Sequence, residues 1–286
     1  MPKTPNKRLQ RPDAPPFDSG SPQTESWDHV APWYDSLASD RGTELHQEVL
    51  IPGVLRLLEL EPGEGVLDLA CGQGAVSRAL CQAGAAVTGV DLSPRLIQMA
   101  RQRSPKAIRY LVGDARRLDS LPDKSFDAAV CVLAAQNIEP IAPVFAHCAR
   151  LLKPAGRLVT VLTHPAFRIP RQSGWGRDEE RKLQFRRVDR YLTPLKIPID
   201  MRPFKMPDQQ VTWTYHRPIQ TYINSLAEAG LWTNALEEWP SPRVSQPGPT
   251  ARAENRARDE FPLFLALRAV KVPQDWQGQS QERRNT

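Results

Sequence analysis

The chain has 286 residues, 40% hydrophobic and 24% charged, with a formal net charge of +6. That length suffices for one large domain, or one domain with an inserted subdomain, and for an ample core. No stretch is apolar enough to span a bilayer, because Lys153, Pro154 and Arg157 break the longest candidate well short of about twenty residues.

In chain order, residues 1–26 are rich in Pro, Ser and charge and lack the apolar run of a signal peptide, so a disordered tail is expected. Trp27 to Asp40 is a lead-in with Trp33-Tyr34-Asp35, and Leu45 to Leu60 is a helix interrupted by Pro52. Val66-Leu67 then runs into Asp68-Leu69-Ala70-Cys71-Gly72-Gln73-Gly74 and a helix over Ala75 to Ala83, stopped at Gly84. A glycine-paired turn between strand and helix lets a ligand approach the backbone where a β-carbon would block it.

Residues 86–90 read as a second strand ending in Asp91, where a carboxylate can accept from both hydroxyls of a ribose. Ser93-Pro94 starts the next helix as N-cap and first-turn proline. Ile108, Tyr110 and Val112 alternate into Gly113-Asp114-Ala115, a third strand end carrying a second acid. In an open parallel sheet these ends line one crevice. Taken singly, Asp91 and Asp114 are equally well explained as turn or cap residues. Phe126 to Leu133 is a nearly continuous apolar run, as in a central parallel strand, and Arg157 to Thr163 repeats it.

The ordered set at 68–74, 90–91 and 113–115, with Ser125-Phe126-Asp127 and Leu151-Leu152-Lys153-Pro154-Ala155-Gly156, resembles the class I (Rossmann-like) S-adenosylmethionine-dependent methyltransferases, of the type 11-like kind. The resemblance covers residues 60–165, with Ala70 where that family usually has glycine. It implies an α/β fold: a doubly wound, seven-stranded, mostly parallel sheet with an antiparallel last strand. It also implies S-adenosylmethionine as cofactor, and no metal. A nicotinamide fingerprint fits worse, since its third glycine would fall at Ser77.

By that resemblance Gly72 and Gly74, with Ala70 and Cys71 in the same loop, approach the methionine part, and Asp68 orients the loop or a water near the ammonium. Asp91 holds the ribose, Leu92 packs on adenine, and Asp114 and the Ala115 amide bond its edge. The Leu133 carbonyl takes the ammonium. Cys71 itself reads as a small buried residue rather than a reactive thiol. The four cysteines show no paired metal spacing and suit a reduced, cytoplasmic protein.

Residues 164–216 are too long for an ordinary connection and are expected to be an inserted lid or subdomain. Arg168 and Arg171 can fork onto an anion, and Phe167 or Trp175 can close over a ring; the alternative is a packed Phe167 and Trp175 beside solvated arginines. Arg177 to Arg190 reads as a charged helix with a solvated face of paired charges, the rival being a nucleic-acid groove that no single-strand platform accompanies. Beyond it, 219–227 marks a helix face, and Leu236 to Trp239 and Phe261 to Val270 read as the last strands, joined by a Pro-Arg loop over 240–260. Residues 273–286 are read as a flexible tail, leaving 27–272 as the domain.

The acceptor half is less determined. His164, at the end of the fifth strand, is the candidate base and His216 its competitor. Gln136 and Asn137 follow the fourth strand where acceptor contacts are expected, although Asn137 also suits a helix N-cap. Tyr34 is assigned to cover the methionine end of the cofactor. The function expected is methyl transfer to a small-molecule acceptor, without membrane contact and with the oligomeric state open. The alternatives are an RNA or protein methyltransferase using the Arg-rich insertion, or a non-catalytic cofactor-binding module.

Overall fold

The computed structural model describes residues 27–28, 31, 42–199 and 212–272. The strands are β1 (Gly65–Leu69), β2 (Ala86–Asp91), β3 (Arg109–Val112), β4 (Phe126–Val132), β5 (Leu152–Thr163), β6 (Ser173–Asp178), β7 (Leu183–Val188), β8 (Leu195–Pro198), β9 (Trp213–His216), β10 (Leu231–Trp239) and β11 (Phe264–Lys271). The α-helices are α1 (Ile51–Leu58), α2 (Ala75–Gln82), α3 (Pro94–Arg103), α4 (Ala142–Leu151), α5 (Ile219–Glu228) and α6 (Ala251–Glu260).

Seven strands form one sheet in the order β3-β2-β1-β4-β5-β11-β10. The pairs from β3 to β5 are parallel, whereas β11 runs antiparallel to both β5 and β10. The mostly parallel sheet with an antiparallel last strand is therefore as the sequence implied. Strand alternation sends Val66, Ala128 and Val130 to one face, packed with α1, α2 and α3. Leu67, Leu69, Ala129 and Cys131 point to the other, where α4 and α5 cover them. A sheet covered on both faces needs strands apolar on both sides, which is why β4 carries no exposed residue.

Local chemistry sets the helix ends. Ser93 Oγ accepts from the Leu96 amide at 3.1 Å, with Pro94 in the first turn of α3. The helix expected to break at Pro52 instead continues. A π-type turn over His46–Leu50 leads straight into α1, with Pro52 in its first α-turn.

Two further expectations are corrected. Arg177 to Arg190 is not a helix, because β6 and β7 form an antiparallel hairpin with Trp175 opposite Arg186 and Gly176 opposite Phe185. Glycine at 174 and 176 disfavours helix. Gly176 also accommodates the Phe185 ring, since a β-carbon there would lie 2.4 Å from it. The charges pair locally, as Arg177–Glu179 at 2.9 Å and Arg187–Asp189 at 3.2 Å. The 240–260 connection, expected to be a loop, contains α6. This helix buries only Ala257 and so lacks an apolar stripe; Thr250 Oγ1 to Glu254 Oε1 at 2.6 Å and Ser245 N to Asn255 Oδ1 at 2.8 Å hold its start.

Candidate functional site

Strand order reverses between β1 and β4, and ligands of open α/β sheets bind outside the carboxyl ends at such a point. A cleft of about 230 Å³ lies there. The β1–α2 turn forms its floor with Ala70 (φ 52) and Gly72 (φ 56) in left-handed conformations. The Cys71 amide ties this turn to the Val90 carbonyl at 3.0 Å. Gly74 is required for packing rather than contact, because a β-carbon there would sit 2.3 Å from Tyr110 Oη. It lines neither this cleft nor its neighbours.

Asp91 is 7% exposed at the cleft wall. Its Oδ2 accepts from the Gly72 amide at 2.8 Å and its Oδ1 from the Ser93 amide at 2.9 Å. Each oxygen keeps a lone pair, so the carboxylate is anchored yet can still accept. Burial pushes its pKa up against the Ser93, Gly72 and Leu92 amides. Leu92, 41% exposed, lines the same cleft with Asp114 and Ala115.

Asp114 carries a partner that the sequence reading missed. Arg116 Nε lies 3.1 Å from each carboxylate oxygen and Nη2 lies 2.9 Å from Oδ2, so the carboxyl is held below its usual range despite its burial. The same guanidinium donates through Nη1 to the Glu139 carbonyl at 2.5 Å, closing that end of the cleft. Trp27, also missed, lines the cleft from the lead-in. An i, i+2 Asp-x-Arg is the only local signal for Arg116, and none marked Trp27.

The cleft continues past Ala70 and Val132 into a small recess lined by Asp68, Cys71 and His46. Asp68 is buried, with Ser77 Oγ donating to it at 2.5 Å, and desolvation pushes its pKa up to about 7. Burial and the two nearby carboxylates also push the Cys71 thiol well up, which leaves no thiolate for nucleophilic chemistry. A carboxyl with a raised folded-state pKa binds a proton that the unfolded chain has released, so this group costs stability as pH rises from about 4 to about 7. Asp68→Asn removes that charge and keeps an oxygen for Ser77. Its melting temperature relative to wild type is expected to be higher at pH 8 than at pH 5; an equal difference at both pH values refutes the buried-acid assignment.

A second cavity of about 230 Å³ adjoins the cleft, with Asn137 in both walls. Asn137 belongs to a 3₁₀ turn over Ala135–Asn137 and caps no helix. Its Nδ2, at 3.4 Å, and Gln136 Nε2, at 2.9 Å, both donate to the Leu133 carbonyl. That carbonyl, on a residue with φ 53, lies in the wall of the first cleft. Arg168 lines the second cavity. Arg171 is exposed and lines neither cavity, while Trp175 packs edge-on against Phe261 at 5.6 Å. Tyr34 lies outside the described residues.

His164 lines neither cavity. It is 1% exposed, its Nε2–H donates to Glu238 Oε1 at 2.8 Å, and its Nδ1 accepts from the Ala166 and Phe167 amides at 3.2 and 3.4 Å. Both nitrogens are thus spent on holding the start of the insertion. His216, the competitor, lines the second cavity. A carbonyl only accepts, so the 2.7 Å contact with Tyr191 O places the proton on Nε2 and leaves Nδ1 basic. Burial lowers its pKa and favours this neutral form. Among the described residues, no three His, Cys, Asp or Glu side chains group as a metal site, and no helix is long and apolar enough to cross a membrane.

Residues 67–160 match the family model described as "Methyltransferase domain". The chain is 42% identical over 115 residues to a demethylmenaquinone methyltransferase of Tropheryma whipplei, covering 38% of this chain and 46% of that one. It is 33% identical over 129 residues to a ubiquinone biosynthesis O-methyltransferase of Xanthomonas oryzae pv. oryzae, covering 44% and 54%. The chain thus spans about half the length of the curated relatives it matches. A solved S-adenosylmethionine-dependent methyltransferase from Mesorhizobium loti superposes with a TM-score of 0.61 at 27% identity, covering 77% of this chain and 96% of that one. Residues 67–160 thus carry a methyltransferase domain, in a chain similar in fold to solved S-adenosylmethionine-dependent methyltransferases.

Proposed function

We propose that this protein transfers a methyl group from S-adenosylmethionine to a small-molecule acceptor. The observation that carries the reading is Asp91, a buried carboxylate fixed by two loop amides with lone pairs left for a ribose. Leu92, Asp114 and Ala115 would hold the adenine, and Ala70, Gly72 and Asp68 would lie toward the methionine part. Arg116 would then clamp Asp114 and border the adenine edge. The Leu133 carbonyl would face the ammonium, and its two amide donors would share it.

When bound, the cofactor supplies an electrophilic methyl on a sulfonium, whose C–S bond breaks as the bond to the acceptor atom forms. The chain's part is alignment and exclusion of water. Asn137 stands in the walls of both the cleft and the second cavity and Gln136 in the latter, so the acceptor belongs there. For a hydroxyl acceptor, His216 Nδ1 takes the proton in place of His164. We read residues 27–272 as the methyltransferase domain and 164–216 as its lid, and place the protein in the cytoplasm, which suits its free cysteines. The names of the relatives, both acting in quinone biosynthesis or on a quinone, support a small-molecule acceptor over RNA or protein. The locally paired charges of the β6–β7 hairpin point the same way.

Calorimetric titration with S-adenosylmethionine, S-adenosylhomocysteine and NAD at one ionic strength tests the cofactor. Micromolar binding of the first two without NAD is expected, and the absence of either would overturn the reading.

A further inference from the structure

The second cavity has an electrostatic imbalance. Two guanidinium groups, Arg168 and Arg217, line it, and no aspartate or glutamate does among the described residues. Arg217 is neutralised by Glu139, which reaches it from outside the lining. Among the described residues, Arg168 has no such partner. Its Nε donates to the Pro262 carbonyl at 3.1 Å and its Nη2 to the Phe261 carbonyl at 3.0 Å, which fixes the plane of the group and leaves Nη1 unused.

The neighbours of Arg168 add no negative charge. Its guanidinium lies 5.2 Å from the Trp175 ring, and Arg186 lies 4.9 Å from the same ring. Among the described residues, neither arginine has a carboxylate within ion-pair distance. Partial burial and the second cation push the Arg168 pKa down to about 10. A half-buried cation held in place without a counter-charge is what an anion site looks like before the anion arrives. Across the cavity, Gln136 Oε1 is buried without a hydrogen-bond donor, because its amide nitrogen is committed to the Leu133 carbonyl. Tyr215 and Tyr222 supply aromatic wall, and the volume falls below the roughly 300–1,000 Å³ of pockets for drug-sized ligands.

We propose that this cavity binds a single-ring acceptor bearing a carboxylate and at least one N–H or O–H, with Arg168 Nη1 as counter-ion to the carboxylate and Gln136 Oε1 accepting from the donor. The assignment rests on the methyltransferase reading for calling the ligand an acceptor; the binding chemistry is independent of it. Arg168 is then the residue that sets specificity for an acid over its neutral isostere.

The test is calorimetry at pH 7.5 on the full chain saturated with S-adenosylhomocysteine, using hydroxy- and aminobenzoates and their matching benzamides as probes. At least one acid is expected to bind ten-fold or more tightly than its amide. Arg168→Gln is expected to level the pair while S-adenosylhomocysteine affinity stays unchanged. Because Arg168 also ties down two carbonyls, Arg168→Lys serves as the second variant and is expected to retain part of the acid preference. Absence of binding by every acid, equal binding of acid and amide, or an acid preference that survives Arg168→Gln would each overturn the proposal. Failure of S-adenosylhomocysteine to bind would sink the cofactor reading instead, and the acid–amide comparison run without it would still decide the cavity.

Discussion

Replacing Asp91 by alanine is expected to weaken S-adenosylmethionine binding by about 2 kcal/mol or more, roughly 30-fold in Kd. The carboxylate is buried at the end of β2, and both of its oxygens are oriented by amides of the chain. Alanine removes the acceptor for the ribose hydroxyls and orphans the Gly72 and Ser93 amides at once. The first loss lowers affinity directly, and the second lets the β1–α2 turn relax. Calorimetric titration with S-adenosylmethionine and S-adenosylhomocysteine reads the effect, which should be alike for both because the ribose is common to them. Unchanged affinity would remove Asp91 from the ribose.

Arg217→Met is the second large effect, and it falls on stability. The guanidinium is 6% exposed, and its Nη2 bonds the Ile138 carbonyl at 2.5 Å and the Glu139 carboxylate, while Nη1 reaches the Ala135 carbonyl at 3.4 Å. Methionine fills similar volume but donates to none of them. Since Glu139 is partly exposed, the loss lies at the lower end for a broken buried pair, on the order of 3 kcal/mol. For a chain of this size that corresponds to a fall in melting temperature of about 6–12 °C. A shift within about 2 °C would show that water satisfies these groups and that the turn after β4 does not depend on Arg217.

The cofactor half was legible because its signals are local. A turn that needs left-handed backbone at 70, 72 and 74, an acid closing each of two strands, and an apolar run buried on both faces all depend on a few consecutive residues. Chain order then supplied the topology, since parallel strands joined by short helical crossovers leave few arrangements. The Asp68, Asp91 and Asp114 positions needed no distant partner to be found.

The insertion was misread for the same reason in reverse. The alternation at 173–178 and 183–188 is masked by arginines that fit either a helix face or a strand, and the hairpin is decided by cross-strand partners and by the packing of Phe185 on Gly176. His164 looked like a base because it follows β5; Glu238, 74 residues on, accepts a hydrogen bond from its Nε2–H. Arg168 is set by carbonyls 93 and 94 residues away, and Arg217 by Glu139, 78 residues back. The sequence by itself determined the sheet, the glycine turn and the acids at the strand ends, because short-range backbone and strand-end chemistry dictates those. Only the tertiary structure decided which arginines are neutralised, which histidine keeps a basic nitrogen, and that a second cavity lies beside the cleft. Those properties arise from contacts between segments far apart in the chain, whose geometry no local pattern encodes.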